Sequence, residues 1–401
     1  MKIGLDVDSL TIKSGGIGRY AVNLINHVAK ILLNEGQNEI FIFFHHSFDR
    51  DLIHKHSHLK FIDKYTNIKS NVLRKGIFLP FSIRRLNIDL FHGLDHIGIP
   101  FLYKNKTCKY AVTIHDLIPR IYPSKFTIKH RLVQNTLLPH ILRKADKIIV
   151  DSNSTKNDII KFYPRYEDKI KVIYLGVESH FFPRSSQEVE KVLNKYNFNF
   201  KYFLFLGTVE PRKNIVRVVD AFIRLKQEEN IEHKLVIIGR KGWLYKEILE
   251  KISKTPFSHD IVFSDFMSDN DLPFLYSGAE IFLYPSLYEG FGNAFLEAIF
   301  FKKPILVNRY SIYQQDIEPI GFDVVSMDGY VTNDVIKKIK HILKHPEERE
   351  KLVNKNYELA SRFFSYKVLE QRLRTIIANF EGITDEWKDH VKQQKFSLLP
   401  D

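Results

Sequence analysis

Two glutamates eight residues apart could hold the two ends of an elongated polar ligand. Glu289 follows the apolar run Ile281–Tyr284, which predicts a buried strand, and Glu297 lies in the helical pattern after it. Carboxylates accept hydrogen bonds from hydroxyl groups, and eight helical residues would span roughly 12 Å. Gly290 and Gly292 allow a close backbone approach at the helix start, where unpaired N–H groups favour an anion. The alternative is one solvated and one capping glutamate.

Two cations follow another predicted strand, Tyr202–Leu206, which ends at Gly207. Arg212 and Lys213 stand just before a helical pattern, where the helix dipole disfavours positive charge unless an anion is bound. The misfit favours a phosphate-binding loop. The alternative is a solvated turn.

A histidine and an aspartate follow a third predicted strand, Tyr110–Ile114. If the sheet is parallel, His115 and Asp116 lie at the same edge as the glycine loop that contains Gly16. The imidazole could donate to a sugar hydroxyl or a leaving phosphate, and the carboxylate could orient it. The alternative is a pair that only caps the next helix.

Short apolar strands alternate with helical patterns along the whole chain. This alternation predicts α/β domains with parallel sheets, and 401 residues exceed the usual size of one domain. We assign an N-terminal domain to 1–182, a polar connection to 183–200, a C-terminal domain to 201–365, and a final helix and tail to 366–401.

The composition restricts the partners. Lys and Arg total 60 against 47 acidic residues, a net charge of +13, which favours an anionic partner such as a nucleotide sugar, an anionic membrane or nucleic acid. The chain has no recognisable nucleic-acid-binding module, which argues against the last. The single cysteine, Cys108, fits a reducing compartment, and neither a signal peptide nor 18 consecutive apolar residues are seen.

Two further segments invite a binding interpretation. Residues 69–87 mix apolar side chains with cations, and could lie on an anionic bilayer or pack their apolar side on the sheet. The cations of this segment are Lys69, Arg74, Lys75, Arg84 and Arg85. The five histidines between His45 and His58 lack carboxylate or cysteine partners at useful spacing, so we assign no metal there.

Three motifs resemble one known family. "PSLYEGFGNAFLEA" (Pro285–Ala298) resembles the Glu-x7-Glu signature of retaining glycosyltransferase family 4, and "GTVEPRKN" (Gly207–Asn214) resembles its diphosphate-binding loop. "TIHDLIPRIYP" (Thr113–Pro123) is similar to a block of members that include bacterial polysaccharide mannosyltransferases. The resemblance extends over essentially the whole chain. It implies the GT-B fold: two facing Rossmann-like domains with parallel sheets and a last helix that crosses back to the first domain.

The resemblance also implies roles for single residues. Arg212 and Lys213 would neutralise the departing diphosphate, while Glu289 would bind the donor hexose and Glu297 the ribose. His115 would contact the donor sugar or the acceptor. The catalytic residues implied are His115, Glu289, Arg212 and Lys213. The donor-binding residues implied are Gly16, Asp116, Arg212, Lys213, Phe266, Met267, Glu289, Gly290, Phe291, Gly292 and Glu297.

We therefore predict a retaining glycosyltransferase that moves a hexose, with mannose preferred, from a GDP- or UDP-linked donor. The acceptor would be a glycan, a lipid-linked molecule or a small hydroxyl compound, in cell-surface polysaccharide synthesis. The enzyme would need no metal or cofactor and would work in the cytoplasm, peripherally at the inner face of the membrane. The alternatives are a nucleotide-sugar epimerase or sugar phosphorylase on the same fold and, from another class, a basic nucleic-acid-binding protein.

Overall fold

The structure is a computed structural model that divides into two compact units. It describes residues 1–8, 16–33, 38–45, 50, 53, 59–63, 67–123, 128–177, 181–265, 267–268 and 270–379. The N-terminal unit is Met1–Leu175 together with the helix that begins near Lys367, and the C-terminal unit is Gly176–Tyr366. Of the five histidines discussed above, only His45 lies in the described ranges.

Seven parallel strands form the sheet of the N-terminal unit within the described residues. They are β1 (Lys2–Asp6), β2 (Glu39–Phe44), β3 (Leu59–Asp63), β4 (Leu90–Gly93), β5 (Lys109–Ile114), β6 (Lys147–Val150) and β7 (Ile170–Val172). Their order is β3-β2-β1-β4-β5-β6-β7, so the strand order reverses between β1 and β4. The strand side chains are mostly buried, as expected for a parallel sheet with helices on both faces.

The helices of this unit connect the strands. They are α1 (Gly16–Leu33), α2 (Asn71–Leu73), α3 (Leu79–Arg85), α4 (Ile118–Ile121), α5 (Ile128–Lys144) and α6 (Asn153–Phe162). A π-helical turn, Arg74–Phe78, joins α2 to α3. π-helical turns are rare in proteins overall, but those that occur often lie at functional sites.

The cations of segment 69–87 divide into two groups. Arg74 and Lys75, on the π-helical turn, are fully buried, whereas Lys69, before α2, and Arg84 and Arg85, on α3, are exposed. The segment therefore packs on the sheet with part of its charge inside. Only the exposed cations remain available to a membrane surface.

The C-terminal unit repeats the topology with one strand fewer among the residues described. Its strands are β8 (Tyr202–Leu206), β9 (Lys234–Ile238), β10 (Ile261–Ser264), β11 (Ile281–Tyr284), β12 (Ile305–Asn308) and β13 (Val325–Met327). Its helices are α7 (Ser186–Lys195), α8 (Ile215–Glu229), α9 (Tyr245–Ser253), α10 (Leu272–Gly278), α11 (Asn293–Phe300), α12 (Asn333–Lys344) and α13 (Pro346–Phe364). The order β10-β9-β8-β11-β12-β13 reverses between β8 and β11.

The polar segment 183–200, assigned to a connection, contains helix α7. Ser185 and Glu188 form a capping box at its start, and α7 packs against α10 within the C-terminal unit. The helix buries no residue completely, which explains why its composition is that of a linker.

The last described helix, α14 (Tyr366–Asn379), belongs to the N-terminal unit. Arg372 Nη1 donates to the carbonyl of Tyr174 at 3.2 Å, and His27 Nδ1 lies 3.1 Å from Glu370 Oε1. The chain thus returns to its first unit, and the α/β fold class with two parallel sheets is confirmed. Among the described helices, none combines the length and the apolar character that crossing a bilayer requires.

Candidate functional site

The loops after β8 and β11 lie where the strand order of the C-terminal sheet reverses. In open parallel sheets this point leaves a crevice at the carboxyl edge, where ligands bind. Arg212 and Lys213 follow β8 in a short 3₁₀ turn, and Glu289 follows β11. The amide of Leu287 donates to the carbonyl of Arg212 at 2.9 Å and ties the two loops together.

Glu289 is held by both cations. Its Oε1 accepts from Lys213 Nζ at 2.5 Å, and its Oε2 accepts from Arg212 Nη1 at 2.8 Å. Arg212 also donates to Glu210 Oε1 at 2.6 Å and to the carbonyl of Tyr288 at 2.7 Å. The four ionised side chains sum to zero charge, and Glu289 is only 7% exposed.

The ion pairs fix the protonation state of this carboxylate. Burial by itself would raise the pKa of Glu289, but Lys213 and Arg212 stabilise the charged form and lower the pKa to about 2. Glu289 is therefore ionised at neutral pH and acts as a hydrogen-bond acceptor rather than a proton donor.

Gly292 shapes the turn between Glu289 and α11. It caps the helix with φ 110°, a conformation that disfavours a side chain. A Cβ here would lie 2.5 Å from Tyr310 Oη and 3.3 Å from Tyr284 Oη. Neighbouring Phe291 is buried and packs edge to face on Phe364 at 5.9 Å.

Glu297 lies closer to the helix start than expected. The expected helical span of roughly 12 Å between Glu289 and Glu297 is wrong because α11 begins only at Asn293, so the helical rise to Glu297 is roughly 6 Å. Gly290 to Gly292 form the preceding loop. Glu297 is buried, and its Oε2 accepts from Tyr276 Oη at 2.8 Å.

The remaining predicted donor residues are only partly described. Met267 is buried in the C-terminal unit, and Gly290 is half-buried. Gly16 is the first residue of α1, and Phe266 lies outside the described residues.

In the N-terminal unit, His115 follows β5 and Asp151 follows β6. Because Ile114 pairs with Val150 in parallel register, the two residues lie side by side at the carboxyl edge. His115 Nδ1 is 2.5 Å from Asp151 Oδ2, and Nε2 donates to the carbonyl of Leu94 at 3.1 Å.

Both ring nitrogens of His115 therefore face acceptors, an arrangement that suits the imidazolium form. Burial by itself would lower the pKa of His115, but Asp151 outweighs it and raises the pKa to about 9. In this state neither nitrogen is available to a sugar hydroxyl. Direct contact between His115 and substrate stays a prediction.

Asp116 contacts the first amide of the next helix, whose N-cap residue is Leu117. Its Oδ1 accepts from the amide of Ile118 at 2.9 Å at the start of α4, and its carbonyl lies 2.7 Å from His96 Nε2. The carboxylate that orients His115 is Asp151, which sequence reasoning missed. The available signal was its position directly after β6, equivalent to that of His115 after β5.

Sequence reasoning also missed a buried charge cluster at the strand reversal of the N-terminal sheet. Lys75 forms an ion pair with Asp6, and Arg74 forms one with Asp8. The residues of this cluster come from segments that are far apart in the sequence, so no local spacing pattern predicts it.

Two family models match the chain, one in each half. "Glycosyltransferase Family 4" matches residues 14–181, and "Glycosyl transferases group 1" matches residues 187–359. The chain belongs to glycosyltransferase family 4. The predicted family is thereby confirmed, and the epimerase and phosphorylase alternatives are not favoured.

Relatives of this family 4 glycosyltransferase include O-antigen enzymes. It is 27% identical over 346 residues to O-antigen chain mannosyltransferase B of Escherichia coli, covering 80% of this chain and 86% of the relative. It is 29% identical over 254 residues to O-antigen chain mannosyltransferase RfbU of Salmonella typhimurium, covering 62% and 64% of the two chains.

Solved structures establish the fold of the glycosyltransferase. Sucrose-phosphate synthase of Thermosynechococcus elongatus superposes with a TM-score of 0.73 at 16% identity, covering 94% of this chain and 98% of the other. Anabaena HepE in complex with UDP-glucose gives a TM-score of 0.72 at 15% identity, covering 94% and 99%. The expected GT-B fold is confirmed.

The low pKa of Glu289 predicts a pH-dependent stability. A folded-state pKa of about 2 against the usual 4.5 corresponds to roughly 3 kcal/mol, present above pH 4.5 and lost as the pH falls toward 2. We expect Glu289→Gln to lower the free energy of unfolding by a similar amount at pH 7. Urea unfolding should show the deficit shrinking between pH 4.5 and 3. The control Glu228→Gln, which removes an exposed ion pair with Arg224, should change the free energy of unfolding by less than about 0.5 kcal/mol.

The raised pKa of His115 predicts an assignable titration. In histidine-labelled protein followed by NMR, His115 should titrate near pH 9, and Asp151→Asn should bring its pKa below the usual 6.5 because burial then dominates. Asp116→Asn is the matched control and should retain most of the rise, since its carboxylate binds Ile118 N. An equal drop in both variants would contradict the assignment of Asp151.

Proposed function

We propose that the enzyme transfers mannose, with retention, from a nucleotide sugar to a hydroxyl of a glycan acceptor, without a metal or other cofactor. The observation that carries the proposal is the cluster of Arg212, Lys213 and Glu289 at the strand reversal of the C-terminal sheet. The cytoplasmic face of the membrane is the proposed location.

The two cations, Arg212 and Lys213, are suited to binding the diphosphate of the donor. Arg212 presents a planar set of N–H donors and Lys213 a point charge, and both are carried by one short turn after β8. Hydrogen bonds to Glu289 and Glu210 hold their geometry. Phosphate oxygens of a bound donor would take over part of these hydrogen bonds.

The carboxylate of Glu289 is suited to binding the hexose of the donor. Glu289 is ionised and can accept hydrogen bonds from two sugar hydroxyls once the phosphates engage the cations. The same cations that attract the phosphates keep Glu289 charged. Phosphate and sugar are therefore recognised by one coupled group of side chains.

The cluster also supplies catalysis. Negative charge builds on the diphosphate as the sugar bond breaks, and preorganised cations stabilise that charge without a metal ion. Glu289 accepts hydrogen bonds from two cations that neutralise its charge, which weakens it as a nucleophile. This supports a reaction on one face of the sugar, assisted by the leaving phosphate, and retention fits the family.

The sugar and acceptor are inferred from the relatives. Two of them are named as O-antigen chain mannosyltransferases, which supports mannose and a polysaccharide acceptor for this chain. The neighbour solved with UDP-glucose supports a nucleotide sugar as donor class. Nucleotide release that depends on an added glycan separates transfer from epimerisation.

Calorimetry in EDTA tests the donor site. Wild-type protein titrated with GDP-mannose, GDP, UDP-glucose and UDP should bind one sugar nucleotide about tenfold or more tightly than its bare diphosphate. Glu289→Ala should lose this preference. Arg212→Ala should weaken both the sugar nucleotide and the diphosphate by roughly 30-fold or more, because it removes charge-assisted hydrogen bonds.

The matched control is Arg217→Ala. Arg217 lies in the first turn of α8, close in sequence to Arg212, but its partner is Asp220. This variant should bind the nucleotides as the wild type does. Equal affinity for every nucleotide, or a strict need for divalent metal, would refute the proposed donor site.

An exposed apolar patch supports the peripheral location. Phe81 and Tyr103 are 65% and 63% exposed, and Leu102 packs against Gly76 of the π-helical turn, which brings the two segments together. Exposed cations flank both segments: Arg84, Arg85, Lys104 and Lys106. Apolar side chains with surrounding cations suit an anionic bilayer, at about 1 kcal/mol per cation near the surface.

Vesicle sedimentation tests this surface. The protein should sediment with vesicles of mixed phosphatidylglycerol and phosphatidylcholine more than with phosphatidylcholine alone, and Phe81→Glu together with Tyr103→Glu should abolish the difference. Tyr330→Glu is the control, because Tyr330 is 67% exposed in the C-terminal unit. Sedimentation that is unchanged by the double substitution would exclude the patch.

A further inference from the structure

The N-terminal sheet has its own polar cluster at its strand reversal. Asp6 ends β1, and Asp95 lies two residues after the end of β4. Lys75 reaches between them from the π-helical turn: it pairs with Asp6, and its Nζ lies 3.9 Å from Asp8 Oδ2 and 4.0 Å from Asp95 Oδ1. The cluster thus occupies the place where a parallel sheet binds ligands.

A second pair extends the cluster and leaves polar atoms unpaired. Arg74 Nη2 donates to Asp8 Oδ2 and, at 3.1 Å, to Asn71 Oδ1. Within the described ranges, Arg74 Nε, Arg74 Nη1 and Asp8 Oδ1 are buried without a hydrogen-bond partner. Each such atom has lost its hydrogen bonds to water without a replacement, so the arrangement is unfavourable for stability alone.

The loop that carries Asp95 is rigid. Gly93 and Gly98 touch through their backbones, since a Cβ on Gly93 would lie 2.3 Å from the carbonyl carbon of Gly98. Asp95 Oδ1 accepts from the amide of Ile97 at 2.9 Å, and the Asp95 carbonyl accepts from the amide of Gly98 at 2.9 Å. Asp95 therefore stands at the tip of a closed turn.

Neighbouring strands hold this loop on both sides. The carbonyl of Leu94 accepts from His115, and the amide of Leu94 lies 3.4 Å from the Asp6 carbonyl. His96 Nε2 lies 2.7 Å from the carbonyl of Asp116. The buried His115–Asp151 pair thereby helps to fix the backbone beside Asp95.

Asp95 is the accessible member of the cluster. Its side chain is 23% exposed, whereas those of Asp6, Asp8 and Lys75 are buried. Burial raises the pKa of Asp6 to about 8 although Lys75 opposes this rise, so Asp6 is mostly protonated at neutral pH and the ionised carboxylates do not outnumber the cations. Burial by itself would raise the pKa of Asp95, but Lys75 and the Ile97 amide keep it below its usual value and the group stays ionised.

We propose that Asp95 binds a hydroxyl of the acceptor and selects neutral, hydroxyl-rich sugars over phosphorylated or carboxylated ones. The inference rests on the proposed transferase function. An ionised carboxylate on a rigid turn accepts a hydroxyl hydrogen bond with little loss of entropy. The partly exposed, ionised carboxylate of Asp95 itself repels an anionic group placed at the same point.

Kinetics with p-nitrophenyl α-mannoside as the acceptor probe test the proposal. With GDP-mannose or UDP-glucose as donor, Asp95→Asn should raise the acceptor KM about tenfold or more, as expected for losing one charge-assisted hydrogen bond. The donor Kd measured without acceptor should stay unchanged. The variant should also discriminate less against p-nitrophenyl glucuronide, whose carboxylate no longer meets a negative charge.

Asp146→Asn is the matched control. The Asp146 side chain is also 23% exposed and binds Lys104, but it precedes β6 and so lies at the opposite edge of the sheet. It should leave the acceptor KM unchanged. An acceptor KM within twofold of wild type for Asp95→Asn, or an equal rise for Asp146→Asn, overturns the proposal.

A separate readout distinguishes this inference from the function on which it rests. If wild-type protein releases no nucleotide with any glycoside, the proposed transfer fails, and saturation-transfer NMR still reports glycoside binding. A signal from p-nitrophenyl α-mannoside that is lost in Asp95→Asn and kept in Asp146→Asn supports the acceptor site. Equal signals in all three proteins, or none with wild type, refute it.

Discussion

The coupling of Glu289 to Arg212 and Lys213 is the interaction on which the C-terminal unit depends. The reversal between β8 and β11 sends consecutive connections to opposite sides of the sheet and leaves the two loop ends adjacent. Ion pairs across that point hold a carboxylate and two cations in one place while the total charge, with Glu210, stays at zero. A neutral, preformed cluster can exchange partners with a polar ligand without leaving a bare buried charge.

The two units use one topology for different electrostatic environments. At the reversal of the N-terminal sheet, Asp95 presents a partly exposed, ionised carboxylate, which suits neutral hydroxyl groups. At the equivalent point of the C-terminal sheet, Arg212 and Lys213 are partly buried cations whose charges suit phosphate. Equal strand order therefore does not imply equal ligands, because the side chains that follow each strand decide the chemistry.

The sequence predicts what is local. The bounds of β8 and β11 follow from apolar runs that end at Gly207 and Pro285, and the interpretation of the cations after β8 follows from their misfit with the helix dipole. The sequence does not predict contacts that depend on strand register. Asp151 reaches His115 only because β5 and β6 are neighbours in the sheet. The sequence does not predict the start of α11, because the left-handed φ of Gly292 keeps the preceding residues out of the helix. It does not predict α7, because an exposed helix has the same polar composition as a linker.

The position of α14 bears on how the protein is made. This helix comes from the end of the described chain, and its Val368, Leu369 and Leu373 are buried within the unit formed by the first 175 residues. During synthesis, the apolar face of the N-terminal unit that α14 covers stays exposed until the whole C-terminal unit and α14 have been translated. A fragment that stops after residue 175 would keep its sheet but expose that face, so separate expression of the halves divides the chain at the wrong place.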